Sequence, residues 1–244
     1  LKVTAIAILP LLLLAYLHLL KTQGSVRQSE LLKKSGATAA QLKGLVDKNV
    51  LWVEKRTVDR IHTGKVDTQI DFDLSAAQET ALAEVRTHFK DKQVTLLHGI
   101  TSSGKTQVYV KMMEECLATG KQVLYLLPEI GLTAQIIRRL QKHFGSSIGI
   151  YHSRFNNNER VEIWNKVRTG EIQIILGARS SLLLPFRNLG LIILDEEHDS
   201  SYKQQDPAPR YHARDAAIYY AGLFKAKVLL GSATPSLESS FNAQ

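Results

Sequence analysis

The chain has 244 residues, 31 Lys and Arg against 23 Asp and Glu for a formal charge of +8, 44% hydrophobic residues and one cysteine. That apolar content suits one large domain or two small ones and excludes a disordered chain, and there is no short repeat or heptad run for a collagen-like or coiled-coil one. A single thiol, Cys116, excludes an internal disulfide framework and a four-cysteine zinc cage, so the chain reads as cytosolic, and its positive charge makes nucleic acid a partner to look for. A start at Leu1 rather than Met suggests that something precedes it.

The apolar stretch Val3 to Leu20 is interrupted by Thr4, Pro10 and His18. With proline at its middle, no basic cluster and no cleavage pattern, it reads as a buried helix from Pro10 to Leu20 rather than a membrane span or signal peptide. Residues 1 to 9 fit no pattern. Ser25 with Gln28 and Thr38 with Gln41 have the spacing of a capping box, in which a hydroxyl and an amide close the first turn of a helix. The first helix carries Val26, Leu31 and Leu32, the second Leu42, Leu45 and Val46, and Ser35-Gly36-Ala37 turns between them. An alternating segment, Val50 to Val58, supplies a β-ribbon, so the unit is expected to be a winged helix. Its cations Lys33, Lys34, Lys43, Lys48, Lys55 and Arg56 suit duplex DNA, while a packing or protein-contact role stays open. Residues 60 to 73 read as a linker, which places the expected domains at 1–73 and 74–244.

From Leu74 apolar runs alternate with amphipathic helices. The runs are Val94–Leu97, Val123–Leu127, Ile172–Leu176, Leu191–Leu194 and Val228–Leu230; the helices between them include Thr106–Leu117, Thr133–Phe144, Glu159–Arg168 and Ala213–Leu223. Continuous rather than alternating apolar strands imply burial on both faces, hence an α/β parallel sheet with helices on both sides and ligands beyond the carboxyl ends of the strands.

Gly99-Ile100-Thr101-Ser102-Ser103-Gly104-Lys105-Thr106 follows the first run and opens a helix, the context a phosphate loop needs. Its backbone N–H groups would face a triphosphate, Lys105 would neutralise β/γ oxygens, and Thr106 would ligate magnesium. The run Leu191–Leu194 delivers Asp195-Glu196-Glu197-His198, where Asp195 would hold magnesium through its water shell and Glu196 would orient and deprotonate the attacking water. His198 would sense the γ-phosphate. Gly231-Ser232-Ala233-Thr234-Pro235 follows the last run, and its hydroxyls would bond His198 or Asp195. The eight histidines show no metal-binding spacing, and Ser102 and Ser103 lack a nucleophile-elbow frame.

A phosphate loop, a D-E-x-H box and an S-A-T motif in this order resemble the first, RecA-like P-loop NTPase lobe of superfamily 2 helicases. Within them the chain is most similar to the primosomal protein N′ family of replication-restart helicases, through Leu97-His98-Gly99, Leu127-Pro128-Glu129-Ile130-Gly131-Leu132-Thr133, Tyr151-His152-Ser153, Gly177-Ala178-Arg179-Ser180-Ser181, Tyr202-Lys203-Gln204 and Arg210-Tyr211-His212-Ala213-Arg214-Asp215. Ser102 departs from the glycine the family often has. The resemblance implies ATP and magnesium as cofactors and Lys105, Asp195, Glu196 and His198 as catalytic. It implies nucleotide contacts from Gln78 and from Gly99, Thr101, Ser102, Ser103, Gly104 and Thr106. Gln78 would read adenine, although Ser75 with Gln78 is also a capping box. DNA would meet Thr133, Arg179, Ser180, Tyr202, Lys203, Tyr211 and Arg214, the last four in an aromatic and cationic surface loop able to report DNA to the ATP site. By the same resemblance the protein would be a 3′–5′ DNA helicase of replication restart, cytoplasmic and nucleoid-associated, with no membrane. Its partners would be single-stranded and forked DNA, single-strand-binding protein and primosome proteins. The family's zinc module and second lobe would lie outside this chain, leaving it a poor ATPase alone. An ATP-gated DNA-binding adaptor, or another superfamily 2 translocase, is the competing expectation.

Overall fold

The computed structural model describes residues 31–33, 38–48, 50–51, 73–152 and 155–243. The chain divides into two compact units, Leu1–Val58 and Asp59–Gln244. In the first, helix α1 (Ala39–Asp47) opens with the expected capping box: the Thr38 hydroxyl accepts from the Gln41 N–H, and the Gln41 amide oxygen accepts from the Thr38 N–H at 2.9 Å. Leu42 on α1 is buried with Leu31, and Leu32 and Leu51 pack beside them. The expected helix Pro10–Leu20, the Ser25 cap and the ribbon beyond Leu51 lie outside the described residues.

The second unit runs α2 (Ala76–Asp91), β1 (Val94–His98), α3 (Lys105–Ala118), β2 (Gln122–Leu126), α4 (Ala134–Phe144), β3 (Ile148–Tyr151), α5 (Asn157–Thr169), β4 (Ile174–Gly177), β5 (Leu189–Asp195), α6 (Ala213–Phe224), β6 (Lys227–Ser232) and α7 (Leu237–Asn242). Its sheet is parallel throughout, in the order β1-β6-β5-β2-β4-β3. Every run expected to be a strand is one, with ends shifted by one or two residues. Strand β3 and helix α7 come in addition, and α2 grows from the capping box at Ser75 and Gln78.

The pleat sends alternate residues of each strand into two separate cores. Val123, Tyr125, Ile193 and Leu229 pack under α2, α3 and α4 with Val85, Tyr109, Met113 and Leu140. Leu124, Leu126, Ile192, Leu194 and Val228 pack under α5 and α6 with Ile163, Val167, Ala213, Ala217 and Ala221. Both faces are therefore dry, and each fully buried Leu or Ile contributes about 2 kcal/mol. Alanine every fourth residue on α6 lets that helix lie close to the sheet. Gln122 opens β2 as a buried polar tie: its Nε2 donates to Val167 O and Ile172 O, and its Oε1 accepts from the Arg187 and Asn188 N–H groups. All its bonding capacity is met, so its burial carries no desolvation cost left unbalanced.

Strand order positions the site. Strands β1, β6 and β5 are consecutive in the sheet although β1, Val94–His98, lies far before β5, Leu189–Asp195, and β6, Lys227–Ser232, in sequence, and register sets His98 opposite Ser232 and Asp195 opposite Gly231. The three motif-bearing loops thus leave the sheet side by side at one level. Among the described residues no helix is long and apolar enough to cross a membrane.

Candidate nucleotide site

The phosphate loop is built from backbone. Ser102 (φ 64°) and Gly104 (φ 83°) turn left-handed, bending the chain so that α3 starts at Lys105. Glycine at 104 is needed twice: a Cβ there would strike the side chains of Gln78 and Gln107. Serine at 102 bears a cost that glycine would not, because its Cβ crowds the following carbonyl at positive φ. Lys105 Nζ reaches back across the loop and donates to Gly99 O at 2.7 Å and Ile100 O at 3.4 Å. Behind the loop, Gln78 is the third helical residue of α2: its Oε1 accepts from the Ser75 N–H in a complete capping box, while its Nε2 donates to Ser103 O at 3.1 Å and Gln107 Oε1 at 2.6 Å. Gln78 thereby braces the loop at Ser103 while Lys105 holds it at Gly99 and Ile100, a role its cap spacing did not indicate.

Asp195 ends β5 with its carboxylate held from two directions. Tyr109 Oη donates to Oδ1 at 3.0 Å, Tyr125 Oη donates to Oδ2 at 3.1 Å, and the Glu196 N–H donates to Oδ1 at 3.2 Å. Burial raises the Asp195 pKa above the ordinary range, the two phenol donors and Lys105 pull the other way, and the neighbouring Glu196 charge adds to the rise. Burial and the Asp195 charge push both phenols well up, so they stay protonated donors. Gly231 makes this possible, since a Cβ there would overlap the Tyr109 hydroxyl.

His198 meets the S-A-T segment as expected: Nδ1 lies 2.7 Å from Ser232 Oγ and Nε2 lies 3.3 Å from Thr234 Oγ1. The Thr234 N–H donates to Ser232 Oγ at 3.0 Å, and Glu196 Oε2 is 3.7 Å from His198 Nδ1. On the other side His98 Nε2 pairs with Ala233 O at 3.2 Å and the Gly99 N–H donates to Ser232 O at 3.1 Å. The S-A-T segment is thus bonded to the phosphate loop on one flank and to the acidic box on the other.

A cavity of about 400 Å³ opens at this end of the sheet, lined by Thr101, Ser102, Gly104, Lys105, Thr106, Gln107, Asp195 and Glu196, with Arg139 from α4. A second, 540 Å³ cavity lies elsewhere, along β1 between α2 and α6, and holds none of these groups.

The third acid of the box, Glu197, has a different job. It is fully buried, and Oε1 accepts from the Ser236 N–H at 2.7 Å while Oε2 accepts from Ser239 Oγ at 2.9 Å and Arg214 at 3.2 Å. Burial alone would raise its pKa, but these donors outweigh it and hold the carboxyl below the ordinary glutamate range. Glu197 ties the box to α6 and to the start of α7.

Two residues expected in an exposed DNA-contacting loop are interior. Tyr202 is 0% exposed, its hydroxyl shared between Asp195 O at 2.7 Å and Leu126 O at 3.0 Å, two carbonyls at strand ends that the ladder leaves short of donors. Arg214, on α6, is turned inward to Glu197, Asp215 and Ser236, so its guanidinium is committed to the protein. Arg179 is half-buried and donates to Ser201 O and Lys203 O, which pins the loop rather than extending from it. Lys203 and Tyr211 are half-buried at its two ends, where Lys203 bridges His212 and the Gln204 N–H donates to Tyr211 O. Thr133 and Ser180 are exposed, and Thr133 also caps α4. Residues 205–210 form the exposed part of the loop, inside which Gln204 Nε2 donates to Pro207 O and Pro209 O. Sequence reasoning missed Tyr109, Tyr125, His98, Glu197 and Arg139. Glu197 lay inside the acidic box and His98 inside the quoted Leu97-His98-Gly99 stretch, each without an assigned role, and the others read as helix core, strand core or solvated surface. Burial pushes the Cys116 thiol up to about 11, which keeps it protonated near neutral pH.

The family described as DEAD/DEAH box helicase matches residues 75–241, and the one described as winged helix domain, PriA helicase, Bacteroidota matches residues 11–58. The replication restart protein PriA of Bacillus subtilis (strain 168) is 38% identical over 240 residues, 94% of this chain and 29% of that protein. The PriA of Haemophilus influenzae is 50% identical over 171 residues, 70% of this chain and 23% of that one. The chain thus spans less than a third of the curated relatives it matches. Among solved structures, RecG bound to a three-way DNA junction aligns with a TM-score of 0.52 at 24% identity, over 71% of this chain and 23% of that chain, a likeness of fold. With the phosphate loop, acidic box and S-A-T segment bonded together inside the 75–241 match, the chain belongs to the DEAD/DEAH box helicase family and is a homologue of the replication restart protein PriA.

Proposed function

We propose that this chain is the ATP-binding motor lobe and winged-helix unit of a 3′–5′ DNA helicase that acts in replication restart. The observation that carries the reading is the bonded path from phosphate loop to acidic box, through His98, Ala233, Ser232, Thr234 and His198, at the carboxyl ends of β1, β6 and β5. A nucleotide seated in the 400 Å³ cavity meets the loop N–H groups and the α3 N-terminus, which favour a polyphosphate. Lys105 exchanges its two loop carbonyls for phosphate oxygens. Adenine contact by Gln78 requires it to release Gln107.

The Thr106 hydroxyl and the Asp195 carboxylate line the same cavity and are hard oxygen donors, which fits magnesium, a cation held by one or two protein ligands together with phosphates. When bound with ATP, magnesium would neutralise charge on the phosphates. The chain's own chemistry is then to hold and deprotonate water: Glu196 takes the proton as the water oxygen bonds to the γ-phosphorus and the bond to the β–γ bridging oxygen breaks, leaving ADP and phosphate. His198, bonded to both S-A-T hydroxyls, transmits the change at the γ-phosphate to β6 and, through Glu197 and Ser236, toward α7.

For DNA, the supporting features are the exposed Thr133 and Ser180 on loops at this same end of the sheet, the loop 203–212 whose root Tyr202 bonds the Asp195 backbone, and the basic first unit. Arg179, Lys203 and Tyr211 contribute through the shape and the exposed rim of that loop, and Arg214 through its anchoring. Single-stranded and forked DNA, single-strand-binding protein and primosome proteins are the proposed partners, in the cytoplasm at the nucleoid. Strand displacement on a forked duplex by the natural protein, comparing wild type with Lys105→Ala and Glu196→Gln, separates this reading from an ATP-gated adaptor. A motor loses unwinding in both variants, whereas an adaptor shows no ATP-dependent unwinding in any form.

A further inference from the structure

Asp195 is the point where the nucleotide-binding helix, the central strands and the acidic box meet, and its carboxylate is unusually constrained for a group that must face a solvent-open cavity. A carboxylate offers about four acceptor positions. Here Oδ1 takes two donors, Tyr109 Oη at 3.0 Å and the Glu196 N–H at 3.2 Å, and Oδ2 takes one, Tyr125 Oη at 3.1 Å, which leaves a single position on Oδ2. The two phenols come from different elements. Tyr109 lies one helical turn beyond Lys105 and Thr106 on α3, and Tyr125 lies on β2, the sheet neighbour of β5. Rotation of the carboxylate about its terminal bond would break both bonds at once.

The rings are fixed as well. Both are 0% exposed, and they meet edge to face with centroids 5.6 Å apart. Gly231, opposite Asp195 on β6, leaves the space that the Tyr109 hydroxyl fills. With no solvent at either phenol, a lost hydroxyl has no water to replace it.

We propose that Tyr109 and Tyr125 form a two-hydroxyl clamp that fixes the Asp195 carboxylate so that its one remaining acceptor position serves the magnesium accompanying the nucleotide. They are positioning residues that act through Asp195, and the inference rests on the nucleotide-site reading above. The clamp also joins α3 to β2, so the metal-facing oxygen is set by the same helix that carries Lys105 and Thr106.

The test is equilibrium binding of a fluorescent ADP to this chain, in EDTA and across a magnesium series, for wild type, Tyr109→Phe and Tyr125→Phe, with thermal unfolding of each. The clamp predicts unchanged affinity in EDTA and a magnesium half-saturation raised about tenfold in either variant, the size of a lost hydrogen bond to a charged group. Because the two variants release different oxygens, one folded variant is enough to decide. A variant that melts earlier but keeps the wild-type magnesium half-saturation overturns the clamp and leaves the phenols as packing. Wild type that binds no nucleotide in either condition overturns the nucleotide-site reading itself, and the clamp with it. Wild type that binds equally with and without magnesium overturns the clamp alone.

Discussion

The phosphate loop and the acidic box flank the S-A-T segment at the ends of β1 and β5, but they are made of different material. In the loop, residues 100–103 are exposed, the shape comes from left-handed turns at Ser102 and Gly104, and most of the chemistry belongs to the backbone. In the box Asp195, Glu197 and His198 are bonded through their side chains to partners far away in sequence: Asp195 to Tyr109 and Tyr125, 86 and 70 residues back, Glu197 to Ser239, 42 residues ahead, and His198 to Ser232, 34 residues ahead. A motif made of backbone can be read from glycine and lysine spacing, because its geometry is local. A motif made of side chains shows only its acids, and the groups that aim them emerge with the fold.

The contrast can be broken most severely at the box. Glu196→Gln should lower ATP turnover about 10³-fold, since it removes the proton acceptor, while leaving nucleotide affinity near wild type; phosphate release in the presence of single-stranded DNA beside a binding titration measures both. Equal losses in binding and turnover would show that Glu196 supports the site rather than the reaction.

Glu197→Ala should cost about 3 kcal/mol in urea unfolding, because it takes from the mostly buried Arg214 guanidinium its ion-pair partner inside the protein and from the Ser236 and Ser239 hydroxyls a buried acceptor. The pH dependence follows from the sign of its shift. A carboxyl held below its unfolded value adds stability that is full above the unfolded value and is lost as pH falls through the lower folded value. Wild type should therefore lose stability through the acid range below the ordinary glutamate value, and Glu197→Gln should show a flatter acid limb. Matching acid limbs would remove Glu197 from the account.

Away from the box the expected effects are smaller. Thr133→Ala removes the α4 cap and should cost about 1 kcal/mol. Ser102→Gly should instead stabilise by under about 1 kcal/mol, as the left-handed strain outweighs the added chain entropy of glycine. A destabilised Ser102→Gly would mean that the serine side chain holds the loop by a contact of its own.

The same division explains what was legible beforehand. The strands were visible because burial on both faces leaves uninterrupted Leu, Ile and Val, and the capping boxes at Thr38 and Ser75 were visible because each joins residues three positions apart. Strand β3 was missed: Ile148-Gly149-Ile150-Tyr151 is four residues long, carries a glycine and lies at the sheet's far edge. Tyr202 and Arg214 were read as exposed because aromatic and cationic residues in a polar loop usually are. What reverses this is tertiary: the carbonyls of Leu126 and Asp195 need a donor, and Glu197 needs a cation, and both demands arise only once β2, β5 and α6 are packed. Gln78 was half legible, since its cap is local and its brace on Ser103 is not.

Calorimetric titration of Mg–ATP into this chain, wild type against Lys105→Ala, tests the central claim that the ends of β1, β6 and β5 form a nucleotide site. The account predicts saturable one-site binding by wild type and a loss of about tenfold or more in the variant, as expected when a charge-assisted contact to phosphate is removed. Equal affinity in the two proteins would place the nucleotide elsewhere and contradict the account.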